Sequence, residues 1–204
     1  MTSEAAIRVL RAADRAAAGW KNGGGVTREI AAGPEGAGMD AFGWRVSLAE
    51  VVADGPFSVF PGVERTLTLA EGAGMDLRIA GVRRLVDRRF EPQRFPGDEP
   101  TDCRLLGGPV VNFNVMYRRG VVTTDTAVVR GDLALTVRPA ETLLVVVLEG
   151  TAEVVGGAEL RAELAAYDAA LVTGAGELVL RSSGRTAVVR LAPHPAADGP
   201  VQTA

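Results

Sequence analysis

The sequence predicts an all-β protein built as two jelly-roll β-barrels packed together, with little helix. Three observations predict it: period-two alternation, a long series of short apolar runs, and a pattern of runs that occurs twice. The alternation is clearest where Phe42, Trp44, Val46 and Leu48 interleave with Gly43, Arg45, Ser47 and Ala49. In a strand this puts one set on a core face and the other on the opposite face, so Arg45 and Ser47 point the same way. Further runs follow in order: 65–69, 75–80, 110–117, 121–129, 133–137, 143–148, 152–155, 169–172, 177–180 and 186–191, each bounded by Gly, Pro, Asp or Asn. Short strands with regularly spaced turn signals indicate an antiparallel sandwich or barrel. Residues 11–18, Arg-Ala-Ala-Asp-Arg-Ala-Ala-Ala, are the one stretch with real helix propensity, and Ile7 and Val9 before them alternate as a strand does. The tail 193–204, with Pro193, Pro195 and Pro200, reads as frayed.

The repeated pattern is Glu64 to Gly72 followed by Met75-Asp-Leu, echoed by Glu141 to Gly150 followed by Ala152-Glu-Val. Each copy reads as an apolar strand, a Glu-Gly turn and a second strand, that is, a hairpin. Duplicated hairpins in an all-β chain fit a bicupin, with a single larger sandwich as the alternative. The expected division is an N-terminal barrel over 1–120, a C-terminal barrel over 121–192 with strands open to exchange between the two, and the tail.

Composition narrows the function. No segment approaches the ~20 apolar residues that cross a bilayer, and the first thirty residues lack an apolar signal core, so a cytoplasmic protein with no membrane partner is expected. A formal net charge of -3 argues against nucleic acid as a partner. One cysteine, Cys103, excludes an internal disulfide and reads as a small core residue. One histidine, His194 between two prolines, can build neither a cupin metal site nor a serine triad, so no metal, no cofactor and no catalytic residue is assigned.

What remains is polar chemistry suited to a small acidic ligand. Lys21 is the one lysine among 22 basic residues, and Asn22, Asn112 and Asn114 are the three asparagines. In a chain this rich in Ala, Gly, Arg and Val, such residues are retained where a compact ammonium or a paired donor and acceptor is needed. Gly23, Gly24 and Gly25 either bring backbone amides to a ligand or form a tight turn. Arg45 and Arg65 can grip a carboxylate in bidentate fashion or pair with a nearby acid. Asn112 and Asn114, two apart in a strand, share a face and can read an amide. Trp20, Phe57, Phe60 and Phe113 are candidate apolar walls. The ligand-binding set is therefore Trp20, Lys21, Asn22, Arg45, Ser47, Phe60, Arg65, Asn112 and Asn114.

Taken in order, Trp20-Lys21-Asn22-Gly23-Gly24-Gly25 with Thr27, Glu29 and Ile30, then Trp44-Arg45-Val46-Ser47, Asp54-Gly55-Pro56-Phe57-Ser58, Phe60-Pro61-Gly62 with Arg65, Phe95-Pro96-Gly97-Asp98 and Asn112-Phe113-Asn114-Val115-Met116 resemble the HutD/Ves family over about residues 5–120. The resemblance implies a bicupin without the histidine metal site, tied to histidine utilisation in bacteria, that moderates the pathway by binding a small acidic intermediate such as formylglutamate. The C-terminal half follows only the general cupin pattern. The leading expectation is a metal-independent binding protein for a small acidic metabolite. The alternative is a cupin enzyme of the isomerase or hydrolase type, with Lys21 as base and Asp98 or Glu29 as acid. A third is a structural role through barrel edges. A homodimer is left open.

Overall fold

The structure, a computed structural model, describes residues 4–20, 23–157 and 160–195. In chain order its strands are β1 (Ala6–Leu10), β2 (Ala17–Gly19), β3 (Gly25–Gly33), β4 (Trp44–Val51), β5 (Gly55–Pro56), β6 (Val63–Glu71), β7 (Met75–Ile79), β8 (Val82–Val86) and β9 (Gln93–Pro96). They continue as β10 (Thr101–Leu105), β11 (Val110–Arg118), β12 (Val122–Val137), β13 (Thr142–Glu149), β14 (Ala152–Gly156), β15 (Leu160–Leu164), β16 (Ala169–Thr173) and β17 (Gly176–Pro193). The first barrel is a six-stranded sheet, β2-β3-β4-β11-β6-β9, closed by a four-stranded sheet, β5-β10-β7-β8. The second is one sheet in the order β1-β16-β13-β17-β14-β15, with β12 also paired to β17. The predicted all-β, two-barrel architecture is the one observed.

Strands β11 and β13, like β6, are buried on both faces, and the sequence explains why. Leu143 to Leu148 is an unbroken apolar run: Leu143, Val145 and Val147 fill the second barrel, while Leu144, Val146 and Leu148 face the first. On β11, Phe113, Val115 and Tyr117 meet that second face, packing with Val46 and Leu48 of β4. This seam joins the barrels, and burying an aromatic such as Phe113 fully is worth about 2–3 kcal/mol. The opposite face of β11 looks into the first barrel, where Leu67, Leu69, Met75, Leu77 and Phe95 form the core.

Several expectations change. The two Glu-Gly turns are not hairpin turns: β6 and β7 lie in different sheets, and β13 and β14 each pair with other strands. The repeat is instead a corner at which the chain leaves its sheet partner. Gly72 (φ 97°) and Gly150 (φ 78°) make it possible, because a side chain at either would meet Val110 or Gly184. The runs 121–129 and 133–137 form one strand, β12, with a register shift between Val129 and Gly131, and 177–180 and 186–191 are likewise one strand, β17. Residues 11–18 make only a single 3-10 turn, Ala12–Asp14, before Ala17–Gly19 enters the sheet against Val26–Arg28. Helix propensity of a few tenths of a kcal/mol per residue loses here to tethering. Arg15 donates to the carbonyls of Leu10 and Tyr167 at 3.0 and 2.6 Å, and Asp168 accepts from Ala12 N at 2.8 Å and Arg11 at 2.7 Å. Residues 6–10 belong to the second barrel's sheet, pairing with β16 from Ala6–Thr173 to Leu10–Ala169.

Candidate functional site

The inner wall of the first barrel is a grid set by strand register. Asn112 lies between Ala49 and Leu69, Asn114 between Ser47 and Leu67, and Met116 between Arg45 and Arg65. Side chains two apart on a strand share a face, so these three rows line one interior, roughly 7 Å apart. The structure therefore brings Arg45, Ser47, Arg65, Asn112 and Asn114 to one wall. Ser47, Arg65, Asn112 and Asn114 are 1%, 8%, 1% and 6% exposed.

Their partners are incomplete. Asn112 Nδ2 reaches Met75 Sδ at 3.3 Å, a weak acceptor, and its Oδ1 has no hydrogen-bond partner among the described residues. The same holds for Asn114 Oδ1 and Arg65 Nε. Arg45 is neutralised by Glu29, Nε to Oε2 at 2.7 Å. Arg65 has no carboxylate partner among the described residues. It lies over the rings of Phe57 at 5.1 Å and Phe95 at 5.4 Å, measured from Cζ to the ring centres. Burial, and then the nearby Arg45 charge, lower the Arg65 guanidinium to about 10, so it stays charged at neutral pH without a counterion. Buried charges and amides are ordinarily satisfied, which makes this cluster unusual.

The second barrel supplies an internal comparison. At the inward positions of its central strand β13 it carries Leu143, Val145 and Val147, all fully buried. By the repeat, β13 corresponds to β6 and β17 to β11, so the counterparts of Asn112 and Asn114 are Thr186 and Val188, opposite Val147 and Val145. Thr186 Oγ1 lies 2.8 Å from Ser182 Oγ and Val188 is apolar, so the fold does not itself require unpaired carbonyls there. A cleft of about 760 Å³ does open on the second barrel, but its charges cancel: Arg161 bridges Glu153 at 2.7 Å and Glu163 at 3.1 Å, and Arg181 meets Glu153 at 3.1 Å.

The remaining expected residues fall as follows. Lys21 and Asn22 lie outside the described residues. Trp20 is half-buried near the Val51 end of the wall, its Nε1 donating to Thr27 Oγ1 at 2.8 Å and its ring edge-on to Phe57 at 6.1 Å. Thr27 is level with Ala49, two rows from Arg45, on the order of 13 Å along the strands. The glycine triplet acts as a turn: Gly23 N bonds Trp20 O at 3.0 Å, Trp20 N bonds Gly25 O at 2.9 Å, and a side chain on Gly25 would collide with Glu50 O and the Trp20 ring. Phe60 packs edge-on against Phe42 at 6.4 Å with Val63 and Met116, in a cluster separate from the one holding Phe57 and Phe95. Phe113 faces the other barrel and is no wall of this site. Asp98, a candidate acid, is half-buried and bonded to Arg119, which holds its carboxyl below the usual range; an ionised carboxylate is a poor proton donor. Sequence reasoning did not assign Phe95 or Met75 to the site. Their only signal is that Phe95 pairs with Arg65, which requires knowing that β9 flanks β6. Among the described residues, no group of three or more His, Cys, Asp and Glu is placed to hold a metal ion. Among the described residues, no helix is long and apolar enough to cross a membrane.

The sequence model of the HutD family matches residues 12–189. The chain belongs to the HutD family. Among curated relatives, a 21.2 kDa protein in the hutC 3' region of Pseudomonas putida is 40% identical over 111 residues, 54% of this chain and 58% of that protein. Protein Ves of Cronobacter sakazakii is 38% identical over 101 residues, 49% of this chain and 54% of Ves. The chain thus spans little more than half the length of these curated relatives. Solved structures match more fully: HutD from Pseudomonas fluorescens SBW25 (formate condition) has a TM-score of 0.81 at 33% identity, covering 92% of this chain and 99% of that one. A conserved protein of unknown function from Pseudomonas aeruginosa PAO1 gives 0.83 at 32% identity, covering 92% and 98%. A bacterial pirin from Escherichia coli in complex with nickel(II), at 11% identity and a TM-score of 0.66, shares the fold alone. One relative of this HutD-family chain thus lies beside a hut gene, and the fold of the chain is that of the cupin-like jelly rolls.

Proposed function

We propose that this HutD-family chain is a small-molecule-binding protein that holds a small acidic metabolite of the formylglutamate kind in its first barrel and moderates histidine utilisation in the cytoplasm. One observation carries the reading: Arg65 is buried and charged, has no carboxylate of its own, and faces the same interior as two asparagines with unspent carbonyls. An anion entering that interior recovers the solvation Arg65 has lost. Charge-assisted hydrogen bonds are worth about 1.5–3 kcal/mol each, so two or three give roughly micromolar to millimolar affinity after the cost of association. Lys21 and Asn22 are assigned to the same ligand by the motif they share with Trp20.

Calorimetry with N-formyl-L-glutamate, urocanate and L-glutamate tests the reading. Heat with at least one of them is expected, lost in Arg65→Met and weakened in Lys21→Ala. No heat with any acidic metabolite, or binding unchanged in Arg65→Met, overturns it.

A further inference from the structure

Within that reading, the two asparagine carbonyls specify more than an anion. We infer that Asn112 and Asn114 are specificity-determining residues that select a carboxylate bearing N–H donors, an amide or amine, over a plain dicarboxylate or an ester of the same shape. Arg65 offers N–H donors to a carboxylate and accepts nothing. Asn112 Oδ1 and Asn114 Oδ1 are acceptors, buried and unpartnered, one row apart on β11. Asn112 turns its amide NH2 toward Met75 Sδ, which leaves its carbonyl facing away from that contact and open to a ligand.

A second carboxylate placed against these carbonyls would set acceptor against acceptor in a site closed to water. An ester would leave both carbonyls bare, whereas an amide N–H satisfies the one it reaches and an amine can donate to both. Charge agrees with this division: Arg45 is already paired with Glu29, so on this wall Arg65 alone is left to attract a carboxylate among the described residues. The second barrel shows that unpaired carbonyls are not demanded by the fold, since β17 carries Thr186, bonded to Ser182, and Val188 at the matching positions.

Leaving a buried polar group unpaired costs enough to lower affinity by about 10- to 100-fold. The test is calorimetry on the full chain with N-formyl-L-glutamate, its ester isostere (S)-2-formyloxyglutarate, and glutarate, repeated with Asn114→Val, whose folding is checked by its melting curve. Support is a preference of about 10- to 100-fold for the amide over the ester, collapsing to near equality in folded Asn114→Val through loss of amide affinity. Equal binding of amide and ester by the unmodified protein overturns the inference while leaving the anion site standing. Absence of binding by all three removes the anion site itself. Should Asn114→Val not fold, Asn112→Leu serves instead, because it removes the acceptor that aspartate would keep, and an unchanged amide-to-ester ratio in it counts against the inference.

Discussion

Replacing Arg65 with methionine should stabilise the ligand-free protein. The lowering of the guanidinium to about 10 means that its charged form is disfavoured in the folded state by about 3 kcal/mol relative to the unfolded chain. Against this stand its contacts with the Phe57 and Phe95 rings, about 0.5–1 kcal/mol each, and the packing of its stem against Gly97, which methionine largely retains. The net gain is about 1–2 kcal/mol, or a rise in Tm of about 2–8 °C for a chain of this size. The sign follows from the direction of the shift. A base lowered in the folded state carries its full cost at every pH below about 10 and loses it above, so the advantage of Arg65→Met is constant from pH 6 to 9 and narrows beyond 10. Differential scanning calorimetry without ligand is the assay. If Arg65→Met instead melts several degrees lower, the guanidinium is part of the scaffold, and the case for an unsatisfied ligand-seeking charge fails.

Two further outcomes are expected. Burial opposes ionisation of Asp168, but donors from Ala12 N, Arg11 and Ala165 N outweigh it and hold the carboxyl below its usual range. Its contribution is therefore complete above about pH 4 and lost as pH falls through the lower folded value; Asp168→Asn should cost about 1–3 kcal/mol in denaturant melts at pH 7 and nothing in strong acid. Burial first, and then the charge of Asp54, push the Cys103 thiol up to about 12, so at pH 8 a thiol reagent should label it only as fast as the protein opens. Complete labelling of native protein within minutes would contradict the burial of Cys103.

Much of this was legible in the sequence, for local reasons. Alternation from Phe42 to Leu48 placed Arg45 and Ser47 on one face because strand side chains have a fixed period, and Asn112 and Asn114 followed by the same rule. The doubly buried β13 was visible as an apolar run with no polar interruption. What escaped depends on non-local pairing. Nothing in Phe95 itself reveals that β9 lies beside β6, and nothing in Glu29 reveals that it, and not a ligand, satisfies Arg45. The Glu-Gly repeats misled because a corner between sheets and a hairpin turn need the same left-handed glycine. The extended path of residues 11–18 is enforced by Asp168 and Tyr167 from the far end of the chain, so no local signal could override the alanines.

The pairing of β1 with β16 has a consequence for synthesis. Strand β1 is made before every strand of the first barrel, yet the sheet partner it has among the described residues, β16, follows that whole barrel in the chain. The first barrel can close in the meantime, whereas the second must wait with an open slot until its earliest piece swings back into place. Removing the first ten residues should therefore cripple the half of the molecule most distant from them in sequence.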